Sequence, residues 1–114
     1  MHMQNKKEKQ ALRYNKGKLK WSLVDFKSLE SMVRVLEMGA EKYEPWNWKK
    51  GMPVSEVSES LLRHMFAFLE GEDNDQESGI DHLGHVLCNA MFLSYIMREK
   101  QHYDDRYKKI ENDN

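Results

Sequence analysis

His82, His85 and Asn89 follow one another at steps of three and four residues, the spacing that lines side chains along one stripe of an α-helix. The stripe is set in apolar sequence, among Leu83, Val86, Leu87, Ala90, Met91, Leu93 and Ile96. Imidazoles and an amide in such a setting need polar partners, because desolvating them unpaired is costly. Imidazoles one turn apart can share a transition-metal ion, with carboxylates from the acidic loop or the preceding helix completing its shell. The same groups can instead hydrogen-bond a phosphate-bearing ligand. Two satisfied histidines packed between helices would show the same spacing. Asp81 beside His82, and Arg63-His64 earlier in the chain, weigh toward a polar site.

Two acidic pairs stand at three-residue spacing, Glu56 with Glu59 and Glu72 with Asp75. Carboxylates on facing helices suit Mg²⁺, whose hard charge bridges oxygen ligands to substrate phosphates. Gly71 should end the helix that carries the first pair, which puts Glu72 and Asp75 in a loop, where acidic residues are commonly just solvated. The stretch Gly39-Ala40-Glu41-Lys42-Tyr43, leading into Asn47-Trp48, offers a third chemistry. An aromatic can stack on a base, an amide can read its edge, and a lysine can neutralise phosphate. Trp46 and Trp48 could equally fold back to cap the core. No serine or cysteine nucleophile is suggested.

The elements that must position these groups are helical. Phe26, Leu29, Val33, Leu36, Ala40 and Tyr43 recur at three- and four-residue steps and predict a helix over about 25–43, with Asp25 as its N-cap. A loop over 44–53, with two prolines and a glycine, separates it from a second helix over about 55–70. There Val57, Leu61, Leu62, Met65, Phe66 and Leu69 are the apolar positions. The acidic loop 72–77 leads to a third, long helix over about 78–100. No strand pattern competes, so the expected class is all-α, a small bundle of three to four helices. The domain plan is a basic arm over 1–24, a helical body over 25–100 and a charged tail over 101–114.

At 114 residues the chain makes one domain, and its 39% hydrophobic content leaves little surplus for a core. Pockets in chains this short are often built between subunits, so a homo-oligomer is expected. No apolar run approaches the length of a membrane span, no hydrophobic signal segment opens the chain, and Cys88 is the lone cysteine. A cytoplasmic protein with a buried thiol follows. The net charge is −1, but the first 20 residues carry seven basic side chains against one acidic, Glu8. Such an arm could attract phosphate or be a solvated tail. Nucleic acid is disfavoured as a partner, because the rest of the chain is acidic and shows no recognition-helix pattern.

Several short motifs occur in one order: Arg13-Tyr14-Asn15-x-Gly17-Lys18, Gly39-Ala40-x-Lys42-Tyr43, Asn47-Trp48, Arg63-His64, Gly71-Glu72, Ser78-Gly79 and His82-x-x-His85-x-x-x-Asn89. In that order they resemble the phage-type dATP/dGTP diphosphohydrolase N-terminal-domain family, over roughly residues 13–97. That family is similar in turn to the MazG-like all-α pyrophosphohydrolases. Those are helical oligomers that hold Mg²⁺ with Glu-x-x-Glu and Glu-x-x-Asp pairs, release pyrophosphate and leave a monophosphate. The chain departs from that pattern where the second acidic pair would open the last helix, since His82 and His85 stand there. Histidine is a poor ligand for Mg²⁺ and a better one for Mn²⁺, Co²⁺, Fe²⁺ or Zn²⁺.

The resemblance implies a nucleotide ligand and a metal-assisted (d)NTP pyrophosphohydrolase. Its catalytic group would be His64, His82, His85, Glu72 and Asp75, with His82 and His85 as metal ligands and a divalent ion, Mg²⁺, Mn²⁺ or another, as cofactor. Arg13, Lys18, Lys42 and Arg63 would meet phosphate, and Tyr43, Asn47, Trp48 and Asn89 the rest of the nucleotide. A scaffold without its carboxylate ligands would suit a different role, an oligomer that sequesters a cyclic or ADP-ribose-type immune signal unaltered.

Overall fold

The computed structural model describes residues 8–108, and the outer parts of the expected arm and tail, residues 1–7 and 109–114, lie outside them. Three α-helices carry the fold: α1 over Glu30–Lys42, α2 over Val54–Leu69 and α3 over His82–Glu99. Short 3-10 turns at Trp21–Leu23 and Phe26–Leu29 precede α1, one at Asn47–Lys50 lies between α1 and α2, and one at Gln101–Tyr103 follows α3. Among the described residues there is no strand, only an isolated antiparallel bridge between Asn74 and Asp81. The chain is all-α, and no described helix is long and apolar enough to cross a membrane.

Helix α3 is the hub. Both α1 and α2 pack on it, rather than on each other, which is why its sequence is apolar on more than one side. Val54, Val57 and Ile96 are buried at the α2–α3 contact, with Met52, Phe92, Leu93, Met97 and Tyr103 packed around them. On its other side α3 meets α1 so closely that a methyl group on Gly84 would lie 2.6 Å from Ser31 Cβ. Only hydrogen fits there.

The face that α1 turns to α3 differs from the one its periodicity suggested. Met32, Val35, Leu36, Gly39 and Ala40 are half-buried, whereas Phe26, Val33 and Tyr43 are exposed. The first turn explains the difference. Phe26–Leu29 winds as 3-10 helix, three residues per turn, so it drops out of phase with the α-helix behind it. The Gly84 crossing also selects the small side of α1, with Ser31 at its centre. Asp25 precedes that turn but makes no side-chain bond to a helix N–H, and accepts from the Ser28 hydroxyl instead.

Helix α3 begins four residues later than the sequence suggested. Asp81 caps it, its carboxylate accepting from the Leu83 N–H at 2.9 Å. Residues 78–81 belong to a closed loop. The Asp75 N–H donates to the Ile80 carbonyl at 2.8 Å and the His82 N–H to the Asp73 carbonyl at 2.9 Å, while Gly79 takes φ +74° where the chain reverses. The start of the charged tail also has a place: Asp105 accepts from the Ser55 N–H at 2.8 Å and its hydroxyl at 2.6 Å. This supplies the acceptor that the first turn of α2 lacks.

Residues 8–28 are exposed throughout, and the radius of gyration of 20.8 Å exceeds the roughly 13 Å of a compact chain of this length. The extended arm accounts for the excess.

Candidate functional site

The 70–81 loop folds its acidic residues back onto the start of α3. His82 Nε2 lies 2.6 Å from Glu72 Oε1, and His82 Nδ1 lies 2.9 Å from His64 Nδ1 on α2. The His64 and His85 rings stack almost parallel, 4.1 Å between centroids and 5° between planes. His85 Nε2 meets the Ser78 hydroxyl at 2.8 Å and stands 3.9 Å from Asp75 Oδ2. Three imidazoles and two carboxylates from one loop and two helices therefore form one cluster. Its core is enclosed, His82 being 3% exposed and His85 9%, while His64 and Asp75 are half-buried and Glu72 is exposed. No buried polar side-chain atom among the described residues lacks a partner.

Electrostatics follow from that enclosure. Burial first, and the neighbouring His85 ring second, hold the His64 imidazole below its ordinary value. Burial does the same to His85, against the pull of Asp75. Burial opposes ionisation of Asp75, yet its carboxyl is held below the usual range because the Ser78 N–H and hydroxyl stabilise the carboxylate, with His85 and His64 nearby. These shifts favour the neutral form of His64 and His85 and the ionised form of Asp75, the forms in which such groups accept a cation or a proton.

A cavity of about 570 Å³ opens beside the cluster, between α1, the 44–52 segment and α3. Its walls include Leu36, Gly39, Tyr43, Asn47, Trp48 and Phe92, and its inner end reaches Ser60 and His85. Trp48 is held there by stacking on Phe92, 5.2 Å between centroids, and by the edge of Tyr95 at 5.1 Å. It therefore packs on the core and lines the cavity at once. Trp46 also borders the cavity but is 64% exposed, in a left-handed conformation with φ +65°, and Lys49 lies over its ring at 4.2 Å.

The residues singled out by sequence fall into three places. His64, His82, His85, Glu72 and Asp75 form the cluster. Lys42, Tyr43, Asn47 and Trp48 line the cavity, and Asn89 lies behind it, donating to the Ser60 hydroxyl at 3.2 Å. Arg63 is exposed on the outer side of α2 and lines a separate shallow depression with Phe66, Glu70 and Glu72. It does not face the cavity. Arg13 and Lys18 are exposed on the arm and line neither. Glu56 and Glu59 are exposed on α2 and take no part.

Two readings change. The pair that spacing suggested as joint ligands, His82 and His85, is not the pair whose nitrogens meet; His82 meets His64, while His85 turns Nε2 to Ser78. The acidic loop is not simply solvated either, because Glu72 and Asp75 are tied to the histidines. Sequence reasoning also passed over two positions. Phe92 extends the 82–85–89 stripe by three residues, so its periodicity could have found it. Ser60 carried no such signal, and Ser78 stood only in the motif order, with no role given to it.

These features define a class of small helical domain, one with a buried histidine–carboxylate cluster at the inner end of an aromatic-walled cavity. Comparison with known proteins narrows it: the family model described as dATP/dGTP diphosphohydrolase, N-terminal, matches residues 8–106, and the chain belongs to that family. A dATP/dGTP diphosphohydrolase of Salmonella phage PMBT28 is 30% identical over 95 residues, covering 83% of this chain and 32% of that protein. The chain thus spans about a third of the length of its relative. No solved structure matches it.

Proposed function

We propose that the chain is a nucleotide-binding domain that hydrolyses purine deoxynucleoside triphosphates, releasing pyrophosphate and leaving the monophosphate. The observation that carries this reading is the junction at His85, whose ring belongs both to the histidine–carboxylate cluster and to the wall of the aromatic cavity. A ligand with an aromatic base and a polyanionic end matches those two environments in order. The base would lie against Trp48 and Tyr43, with Asn47 at its edge. At the inner end, Glu72 and Asp75 would serve as metal ligands, hold the imidazoles that are, or orient the attacking water, and an imidazole N–H would donate to phosphate oxygen. A divalent metal, Mg²⁺ or Mn²⁺ among others, is the cofactor this reading calls for, and it would supply charge neutralisation on the phosphoanhydride oxygens.

The name of the phage relative supports the substrate class. A homo-oligomer belongs to the same proposal, because Leu62, Phe66 and Leu69 lie exposed at helical spacing on the outer side of α2. Arg63 and Glu70 flank them, so two copies set antiparallel on this stripe would pair opposite charges. Sedimentation of a monomer at high concentration would remove it.

The test is incubation with dATP, dGTP, dCTP and dTTP in Mg²⁺ or Mn²⁺, followed by ion-exchange chromatography. Monophosphate and pyrophosphate are expected from the purine nucleotides, and their formation should vanish in His82→Ala and Glu72→Gln while circular dichroism stays helical. Nucleotide recovered intact from the protein after heating supports sequestration without turnover and overturns the hydrolase.

A further inference from the structure

The contact between His64 and His82 brings two ring nitrogens together. Glu72 Oε1 lies 2.6 Å from His82 Nε2 and is an acceptor, so that nitrogen donates to it and Nδ1 is the ring atom left to face a cation. His82 Nδ1 lies 2.9 Å from His64 Nδ1. Two nitrogens bound to one ion at about 2.1 Å each are about 3.0 Å apart when they subtend a right angle. The observed spacing is therefore that of neighbouring corners of an octahedron. One ligand atom each from His64, His82 and Asp75 lie within 4.8 Å of one another, so a carboxylate oxygen stands beside the two imidazole nitrogens. Behind His82, Glu72 holds the ring by its outer nitrogen, the arrangement that fixes the tautomer and raises the basicity of a metal-bound imidazole.

We propose that His64 Nδ1, His82 Nδ1 and the Asp75 carboxylate form a mononuclear centre for a transition-metal dication of the Mn²⁺, Co²⁺ or Zn²⁺ kind in preference to Mg²⁺, with Glu72 as its orienting carboxylate. Two imidazoles in three donors set the preference, since Mg²⁺ strongly favours oxygen and water. Three protein donors leave positions open on an ion that takes four to six, and those are available to water and phosphate. His85, stacked on His64 and engaged by Ser78, is a neighbour of the centre and not a ligand. The centre deepens the proposed function by naming its cation, but it is tested on metal binding alone.

Protein stripped with chelator is titrated calorimetrically with MnCl₂, CoCl₂, ZnCl₂ and MgCl₂, and the Mn²⁺-loaded form is examined by pulsed electron paramagnetic resonance. One Mn²⁺ or Co²⁺ per chain is expected, bound at least about 100-fold more tightly than Mg²⁺, with coupling to two imidazole nitrogens. Glu72→Gln should weaken Co²⁺ binding by about 10- to 100-fold, and His64→Ala should leave one coupled nitrogen. Mg²⁺ bound as tightly as Mn²⁺, or a Mn²⁺ spectrum without nitrogen coupling, overturns the centre. The resonance experiment uses the unaltered chain, so a variant that fails to fold does not obscure it. Metal bound without nucleotide turnover leaves the centre standing and removes the hydrolase. Turnover in Mg²⁺, with no nitrogen coupling to Mn²⁺, does the reverse.

Discussion

Gly84→Ala and Gly39→Ala introduce the same methyl group into two helices and should move stability in opposite directions. A methyl on Gly84 would sit 2.6 Å from Ser31 Cβ and 2.8 Å from the Ser31 carbonyl carbon and oxygen. Carbon contacts relax at about 3.5–4.0 Å, so α1 and α3 would have to part by roughly 1 Å. Two of the three opposing atoms are backbone, and no rotamer change relieves them. Overpacking of this kind costs about 1–3 kcal/mol, while alanine in place of glycine in a helix returns about 1 kcal/mol. The net loss is about 1 kcal/mol, which lowers Tm by about 4–8 °C in a domain of this size. A methyl on Gly39 meets nothing within 4 Å, so only the propensity gain remains and Tm should rise by a similar amount. Thermal unfolding followed by circular dichroism in chelator reads both. A Gly84→Ala protein as stable as the unaltered chain would refute the close crossing, and with it the positioning of the α1 wall of the cavity against His85.

Two further outcomes follow from burial. Burial pushes the Cys88 thiol up to about 12, so iodoacetamide at neutral pH should leave the native protein unmodified and alkylate it only in denaturant; rapid labelling of the folded chain would contradict the packing of α3. His64 and His85 are held below the ordinary value of 6.5, so the unfolded chain binds more protons than the folded one as pH falls below it. Their contribution to stability is complete above about pH 6.5 and is lost progressively toward lower pH. Urea midpoints of metal-free protein between about pH 7.5 and about pH 5.5 should decline in that direction, and a midpoint that rises on acidification would show the imidazoles charged in the fold.

The all-α class, the three helices and the polar row on the last of them were legible in the residues themselves, because a period of three to four apolar positions is a local property. The hub role of α3 was foreshadowed in the same way, by apolar residues on more than one of its sides. The motif order also carried the family, since short motifs in sequence do not depend on their distance in space. The phase of α1 was not legible. A 3-10 turn at Phe26–Leu29 and a crossing at Gly84 set which face turns inward, and both depend on what α1 packs against.

The site divides along the same line. His64, His82, His85, Glu72 and Asp75 were singled out from type and spacing, and the fold gathers them into one cluster. Their pairing could not be read in that way, because helical periodicity relates His82 to His85 within α3 and says nothing of α2 docked alongside. Only the tertiary contact sets His82 Nδ1 against His64 Nδ1. Likewise the loop's acidic residues read as solvated until the bridge between Asn74 and Asp81 closes it and turns Glu72 and Asp75 toward the imidazoles. Arg63 shows the converse: it neighbours His64 in sequence, but side chains one residue apart on a helix point about 100° apart, and docking on α3 sends it to the outside.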